Sequence, residues 1–405
     1  MAERVKHILF LTSNNLSTNP RCLKEIRLAL KNGYKVTLLA FQFKNWSAES
    51  ENELRQDLPG VSFHYIPVDQ TNLAEWFISG CITIMSRLLC RLSMNSTAMN
   101  SYAIDRRSYL ALAFLRKNKI IANLIIAHNP GMFYPAMKYA SEMQLPYAID
   151  MEDYHPGEKT TPFRQQLVTQ LTKTTVPAAK YVSHASTLIK KYTEELTGRN
   201  NELDVTVHNS FPEGDFDGAV KVNEEKLQLI WFSQHINYNR GLERYLPYFD
   251  QFSSFIRITL IGASCHEFYA KELAHRTYIE VMNPMKPEEL NRRVCYFDIG
   301  LALEDVHADL NRNICLTNKI LTYYQAGLYI LATKTEAQQQ FIAQHPEAGT
   351  LIDEMNLKDI MNWLCNNISD LRQNRQKRFE NARNASWEKE SVKINNNWKT
   401  LLAEA

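Results

Sequence analysis

Short apolar runs alternate along the chain with longer stretches in which apolar positions recur every three or four residues. His7 to Thr12, Lys35 to Phe41, Val61 to Pro67, Asn123 to Ala127 ending at His128, Tyr147 to Asp150, Tyr181 to Ser183 and Asp204 to His208 read as strands. Between the first two lies PRCLKEIRLALKNG, which carries helix marks at both ends. Asn19 suits the cap, Pro20 the first helical position and Gly33 a left-handed exit. Apolar strands alternating with helices predict a parallel sheet covered on both faces.

The periodicity breaks over His208 to Glu225, which reads as a linker with Pro212 and neighbouring glycines and aspartates. A second α/β series follows, with strands from Leu227, Ile256 to Gly262, Tyr278 to Met282, Phe297 to Leu303 and Leu328 to Ala332. The expected fold class is therefore α/β, with two Rossmann-like domains facing across a cleft. Their expected bounds are 1–210, a linker at 211–226, and 227–385. The charged, tryptophan-bearing helical tail, 386–405, is expected to cross back to the first domain.

The stretch from Leu73 to Ser93 is helical, with Leu73, Phe77, Cys81, Met85, Leu88 and Leu92 on one stripe and Arg87 and Arg91 one turn apart. Such a helix lies in a membrane interface or packs on a sheet with its charges solvated; the second is the expectation. Its uncharged core, Trp76 to Ser86, is about half of the roughly 20 residues that a spanning helix needs. No transmembrane segment and no signal peptide are expected.

Composition narrows the partners only slightly. Of 405 residues, 45% are hydrophobic and 22% charged, and the net charge of +2 gives no general reason to expect nucleic acid. The seven cysteines never form a C-x-x-C pair, so neither a zinc site nor a disulfide framework is indicated, and a reducing cytosol fits.

Chemistry is expected at the carboxyl ends of the strands. His128 ends one strand, and Asp150, Glu152, Asp153 and His155 cluster beyond the next. No G-x-G-x-x-G, Walker A, G-x-S-x-G or H-E-x-x-H sequence occurs. What remains for an anion in the second half is Gly262 after a strand, Arg240 with Gly241 at one helix start, and Asn318 with Lys319 at another.

The ordered pieces KHILFLTSNNLSTNPRCLKEIRLALKNGYKVTLLAF, ANLIIAHNPGMFYPAMKYA, AIDMEDYH, VTVHNSF, LIWFSQHINYNRGLE and FDIGLAL with LTNKILTYYQAGLYILAT span nearly the whole chain. Together they resemble GT-B glycosyltransferases, most closely family 4 of retaining, nucleotide-sugar-dependent enzymes. The resemblance implies a cleft role for His128 near the donor sugar, with His128 and one of Glu152 or Asp153 positioning sugar or acceptor hydroxyl groups. It implies donor binding by Arg240, Gly241, Gly262, Glu304, Asn318, Lys319 and Thr322, with Gly327 closing the helix. The loop carrying Asn14, Asn15 and Asn19, with Arg21, would line the acceptor side. The family often has two glutamates where Ile314 and Thr322 stand here, so Glu304, Asp305 and Asp309 are the nearby acids to inspect.

The resemblance further implies a cytoplasmic glycosyltransferase of cell-surface polysaccharide synthesis, retaining, and peripheral at the inner membrane face. Its co-substrate would be a nucleotide-diphosphate sugar, its acceptor a glycan or lipid-linked glycan, and its membrane partner anionic; no metal, other cofactor or nucleic acid is expected. A non-catalytic member of a glycan assembly complex and a nucleotide-sugar 2-epimerase are the alternatives.

Overall fold

A computed structural model describes residues 5–44, 47–68 and 72–403. The chain divides into two compact units, Met1–Val207 with Ser391–Ala405, and His208–Glu390.

The first unit is built on a seven-stranded parallel sheet ordered β3-β2-β1-β4-β5-β6-β7. Its strands are β1 His7–Thr12, β2 Lys35–Gln42, β3 Val61–Pro67, β4 Leu124–His128, β5 Tyr147–Met151, β6 Tyr181–His184 and β7 Val205–Thr206. The central strands are apolar throughout because helices cover both of their faces; β4 is buried along its whole length. The helices used below are α1 Pro20–Lys31, α2 Leu73–Arg91, α3 Thr97–Ile104, α4 Arg106–Asn118, α5 Pro130–Met143 and α6 Pro162–Thr175. Asn19 caps α1 by accepting from the Cys22 N–H, and Pro20 occupies its first turn.

The second unit holds a six-stranded parallel sheet ordered β10-β9-β8-β11-β12-β13. These strands are β8 Leu227–Ile236, β9 Ile256–Ser264, β10 Ile279–Met282, β11 Ile299–Ala302, β12 Tyr329–Thr333 and β13 Gly349–Ile352. Counted from β8, the order is 3-2-1-4-5-6, the doubly wound arrangement in which ligands bind where the order reverses. In the second sheet the reversal lies between β8 and β11; in the first, between β1 and β4. Helices α7 Leu242–Phe249 and α8 Asn318–Gln325 begin at the second sheet's carboxyl edge.

The last helix, α9 Trp387–Ala403, belongs to the first unit from Ser391 onward. Trp398 fixes it there. Its indole Nε1 donates to the Tyr181 hydroxyl at 2.8 Å, and its ring stands edge-on to Phe10 and Tyr34.

Helix α2 departs from expectation in two respects. It packs on α3 and α4 rather than on the sheet, and the periodic stripe Leu73, Phe77, Met85, Leu88 and Leu92 faces outward. It is also the one helix among the described residues that is long and apolar enough, by length and composition, to cross a membrane. Glu75, Arg87 and Arg91 lie near its ends and interrupt the apolar run without altering the helix's overall character.

Candidate functional site

In the first unit the strand register places Thr12, His128, Asp150 and Ser183 side by side at the ends of β1, β4, β5 and β6. Helix α1 presents Arg21 and Glu25 to this row, and both are completely buried. The Arg21 guanidinium lies 3.3 Å from Glu25 and 3.1 Å from Asp150, and it also donates to the Val207 carbonyl at 2.7 Å. His128 faces Asp150 with Nδ1 at 3.3 Å and Glu25 with Nε2 at 3.5 Å, contacts at the long end of hydrogen bonding. Ser183 donates to Asp150 at 2.6 Å.

Burial pushes the His128 imidazolium down, but Cys22, Glu25 and Asp150 outweigh it and hold its pKa well above the usual histidine value. Burial also raises the Cys22 thiol's own pKa. Asp150 is likewise opposed by burial and held below the usual carboxylate range by Arg21 and His128. Glu25, His128 and Asp150 are close enough to hold a metal ion, but Arg21 already supplies positive charge and His128 meets the carboxylates with opposite ring nitrogens. The ion-pair reading fits the charges better.

His128 is thus 2% exposed and enclosed by carboxylates, rather than open to a ligand as the resemblance implies. Asn15, Asn19 and Arg21 are also buried: Asn15 donates to the Ser47 hydroxyl, Asn19 caps α1, and Arg21 is the cluster's fixed cation. Glu152 and Asp153 follow β5 and are half-buried. The Glu152 carboxyl is pushed up by burial, then by the like charges of Asp153 and Asp150.

Asn14 lines a pocket of about 220 Å³ where the strand order of the first sheet reverses, together with Asp105, Arg107, Asn129, His155 and Arg164. Arg107 is held on Asp105 at 2.8 Å and on the Ser13 carbonyl at 2.6 Å; Arg164 donates to the Ile104 carbonyl at 3.0 Å. The amino terminus of α5 opens here without a side-chain cap, behind Asn129 at φ 69° and ψ 149°. Side chains rarely adopt that conformation, and strain of this kind gathers at functional sites. The Asn129 carboxamide oxygen is fixed by the Thr12 hydroxyl at 3.0 Å. A sequence signal exists in Asn129-Pro130-Gly131 directly after a strand, but the arginines come from distant helices.

In the second unit Gly241, Glu304, Asn318 and Lys319 come together where the strand order reverses. Gly241, at φ 82°, starts α7 against the backbone of Glu304, which a Cβ would approach to 3.4 Å. The Glu304 N–H donates to the Thr333 hydroxyl at 2.9 Å, and its carboxylate meets the Lys319 ammonium at 2.7 Å. Lys319 also lies 5.8 Å from the Trp231 ring centroid. Asn318 and Lys319 open α8, whose first turn has no side-chain cap. Arg240 is half-buried beside Gly241, on a loop whose Asn239 carbonyl accepts from Arg312 at 3.4 Å.

Thr322 is 1% exposed, and its hydroxyl has no hydrogen-bond partner among the described residues. Gly262 stands apart, packed under the Ser233 carbonyl at an irregularity of β8. Gly327, at φ 69°, ends α8 against Phe379, and its carbonyl accepts from Arg378 at 3.1 Å. A pocket of about 250 Å³ in this unit opens at the opposite, amino-terminal edge of β8, away from these groups.

No family model and no curated protein matches the chain. Solved structures do. One is the Anabaena protein HepE in complex with UDP, with 12% identity and a TM-score of 0.68 over 97% of this chain and 100% of that one. Another is a glycosyltransferase from Rickettsia africae ESF-5, with 12% identity and a TM-score of 0.67 over 100% of both chains. A Listeria monocytogenes protein assigned as a UDP-N-acetylglucosamine 2-epimerase is also similar, with 9% identity and a TM-score of 0.54 over 93% of this chain and 91% of that one. The fold is that of the GT-B glycosyltransferases, two parallel-sheet α/β domains.

Proposed function

We propose that the protein is a family 4-type glycosyltransferase that moves a sugar, with retention, from a nucleotide-diphosphate donor to a glycan or lipid-linked acceptor in cell-surface polysaccharide synthesis on the cytoplasmic side of the membrane. The observation that carries this reading is the packing of Gly241, which follows Arg240 and starts α7, on Glu304, the ion-pair partner of Lys319 at the start of α8, where the strand order of the second sheet reverses. Helix-start N–H groups without side-chain caps, with two cations nearby, suit a diphosphate. The complex of the similar HepE with UDP supports the same reading.

In the proposed reaction the bond from the sugar's anomeric carbon to the diphosphate breaks, its electron pair leaving with the diphosphate, and the acceptor oxygen bonds to that carbon on the same face while its proton passes to the departing diphosphate. Lys319 and Arg240 stabilise the departing charge, and Glu304 positions Lys319. The pocket beside Arg107 and Arg164 holds the acceptor. Glu152 or Asp153, beyond β5, orients its hydroxyl, while His128 acts behind them by fixing Asp150.

The epimerase-like neighbour supports a second reading, in which the donor alone is converted. Incubation with UDP- and GDP-sugars, followed by NMR, separates the two. Acceptor-dependent release of nucleoside diphosphate supports transfer, a new epimer without acceptor supports epimerisation, and no binding of any donor supports a non-catalytic partner.

A further inference from the structure

Helix α2 is turned inside out relative to an ordinary surface helix. Its inward face carries Ser79, Thr83, Ser86 and Cys90, all buried, while Leu73, Phe77, Ile78, Ile84, Met85, Leu88, Leu92 and the following Met94 are 46% to 71% exposed. The inward hydroxyl groups have local partners: Ser79 donates to the Trp76 carbonyl and Thr83 to the Ser79 carbonyl. Small polar side chains let α2 seat closely on α3 and α4. The apolar side chains form a continuous stripe at spacings of three and four, filled between Phe77 and Ile84 by the exposed Cys81. Scattered exposed leucines need no explanation, but a stripe along a whole helix marks an interaction surface.

The charges around it identify the occupant. From Leu73 to Arg107 the acids are Glu75 and Asp105, the second paired with Arg107, against Arg87, Arg91 and Arg106. Each arginine is held at the margin of the stripe. Arg87 donates to the Ala103 carbonyl at 2.9 Å, Arg91 lies 5.1 Å from the Phe163 ring, and Arg106 lies 5.3 Å from that of Trp76. Apolar side chains flanked by guanidinium groups and a tryptophan match the boundary between acyl chains and anionic headgroups. A spanning helix would need apolar surroundings on every side, whereas one face of α2 is already seated on protein.

We infer that the outward face of α2 docks the protein on an anionic bilayer surface, lying in the headgroup region without crossing it. This inference does not depend on the transferase reading. Where both hold, they meet in one place. Ile104 and Val168 line the pocket that holds Arg107 and Arg164, and they also pack in the small core beneath Cys90 of α2. A bilayer on α2 then brings the headgroup of a lipid-linked acceptor toward that pocket.

The test is flotation of the full chain with vesicles of phosphatidylcholine alone or with about one-quarter phosphatidylglycerol, at low and high salt. The wild type is expected to float with the anionic vesicles at low salt and to be released by salt. A triple variant, Phe77→Gln, Ile84→Gln, Leu88→Gln, should bind at least about tenfold more weakly with unchanged thermal unfolding. Arg87→Glu with Arg91→Glu should abolish the preference for anionic lipid. Absence of flotation at low salt overturns the inference, as does binding indifferent to the apolar substitutions. A concentration-dependent dimer lost in the triple variant, without vesicle binding, would assign the face to a second copy instead.

Discussion

Glu304 and Lys319 form a 2.7 Å ion pair at the carboxyl edge of the second sheet, each side chain only about one-tenth exposed. The pair links the end of β11 to the first turn of α8. Replacing Glu304 with Gln leaves the ammonium with a weaker partner and frees its position. The expected outcome is a loss of about 1.5–3 kcal/mol in stability, measured by denaturant unfolding, together with weaker nucleotide binding.

Asp150 receives hydrogen bonds or ion pairs from Arg21, His128 and Ser183 within a fully buried set. Asp150→Asn removes the carboxylate that faces Arg21 and His128 and leaves both without it. Destabilisation of about 3–5 kcal/mol is expected, visible as an earlier transition in urea.

The same cluster sets a pH dependence. His128 is held above its ordinary value of 6.5, so its contribution is complete below about that pH and is lost as pH rises through the raised native value. Asp150 is held below its ordinary 3.8, so its contribution is present above about that pH and is lost as pH falls through the lowered one. Melting temperature against pH should therefore fall at both ends. His128→Asn should flatten the alkaline limb specifically.

Gly300, within β11, lies under the buried ring of Tyr323, and a Cβ there would stand 2.2 Å from the ring. Gly300→Ala must displace α8 from the sheet. A loss of at least about 1–3 kcal/mol is expected, with weaker nucleotide binding from a misplaced Lys319, checked by unfolding and calorimetry on the same sample.

Much of the frame is legible in the residue pattern: the central strand β1 is an unbroken apolar run on the expected residues, and the edge strand β3 falls on its expected residues through its β-branched and aromatic side chains. β13 carries no such mark, being four residues of edge strand, GTLI, and Asp204 to His208 shrinks to the two residues of β7 for the same lack of partners. Asn318 and Lys319 are readable as a helix start after a strand. The approach of Gly241 to Glu304 depends on strand order, which no local pattern contains. Periodicity likewise reports that α2 has an apolar stripe but not which side faces the protein. For His128 the pattern gives the strand end, while its burial comes from Glu25 and Arg21 on a helix far away in sequence.

The second unit is expected to bind a nucleoside diphosphate at Arg240 and Lys319. Calorimetric titration of the full chain with UDP, GDP and their sugars tests it most directly, with Arg240→Ala and Lys319→Ala alongside. One nucleotide series should bind, and each substitution should weaken it by roughly 10- to 100-fold, the loss of one charge-assisted contact. Binding that neither substitution changes, or no binding in any series, would contradict it.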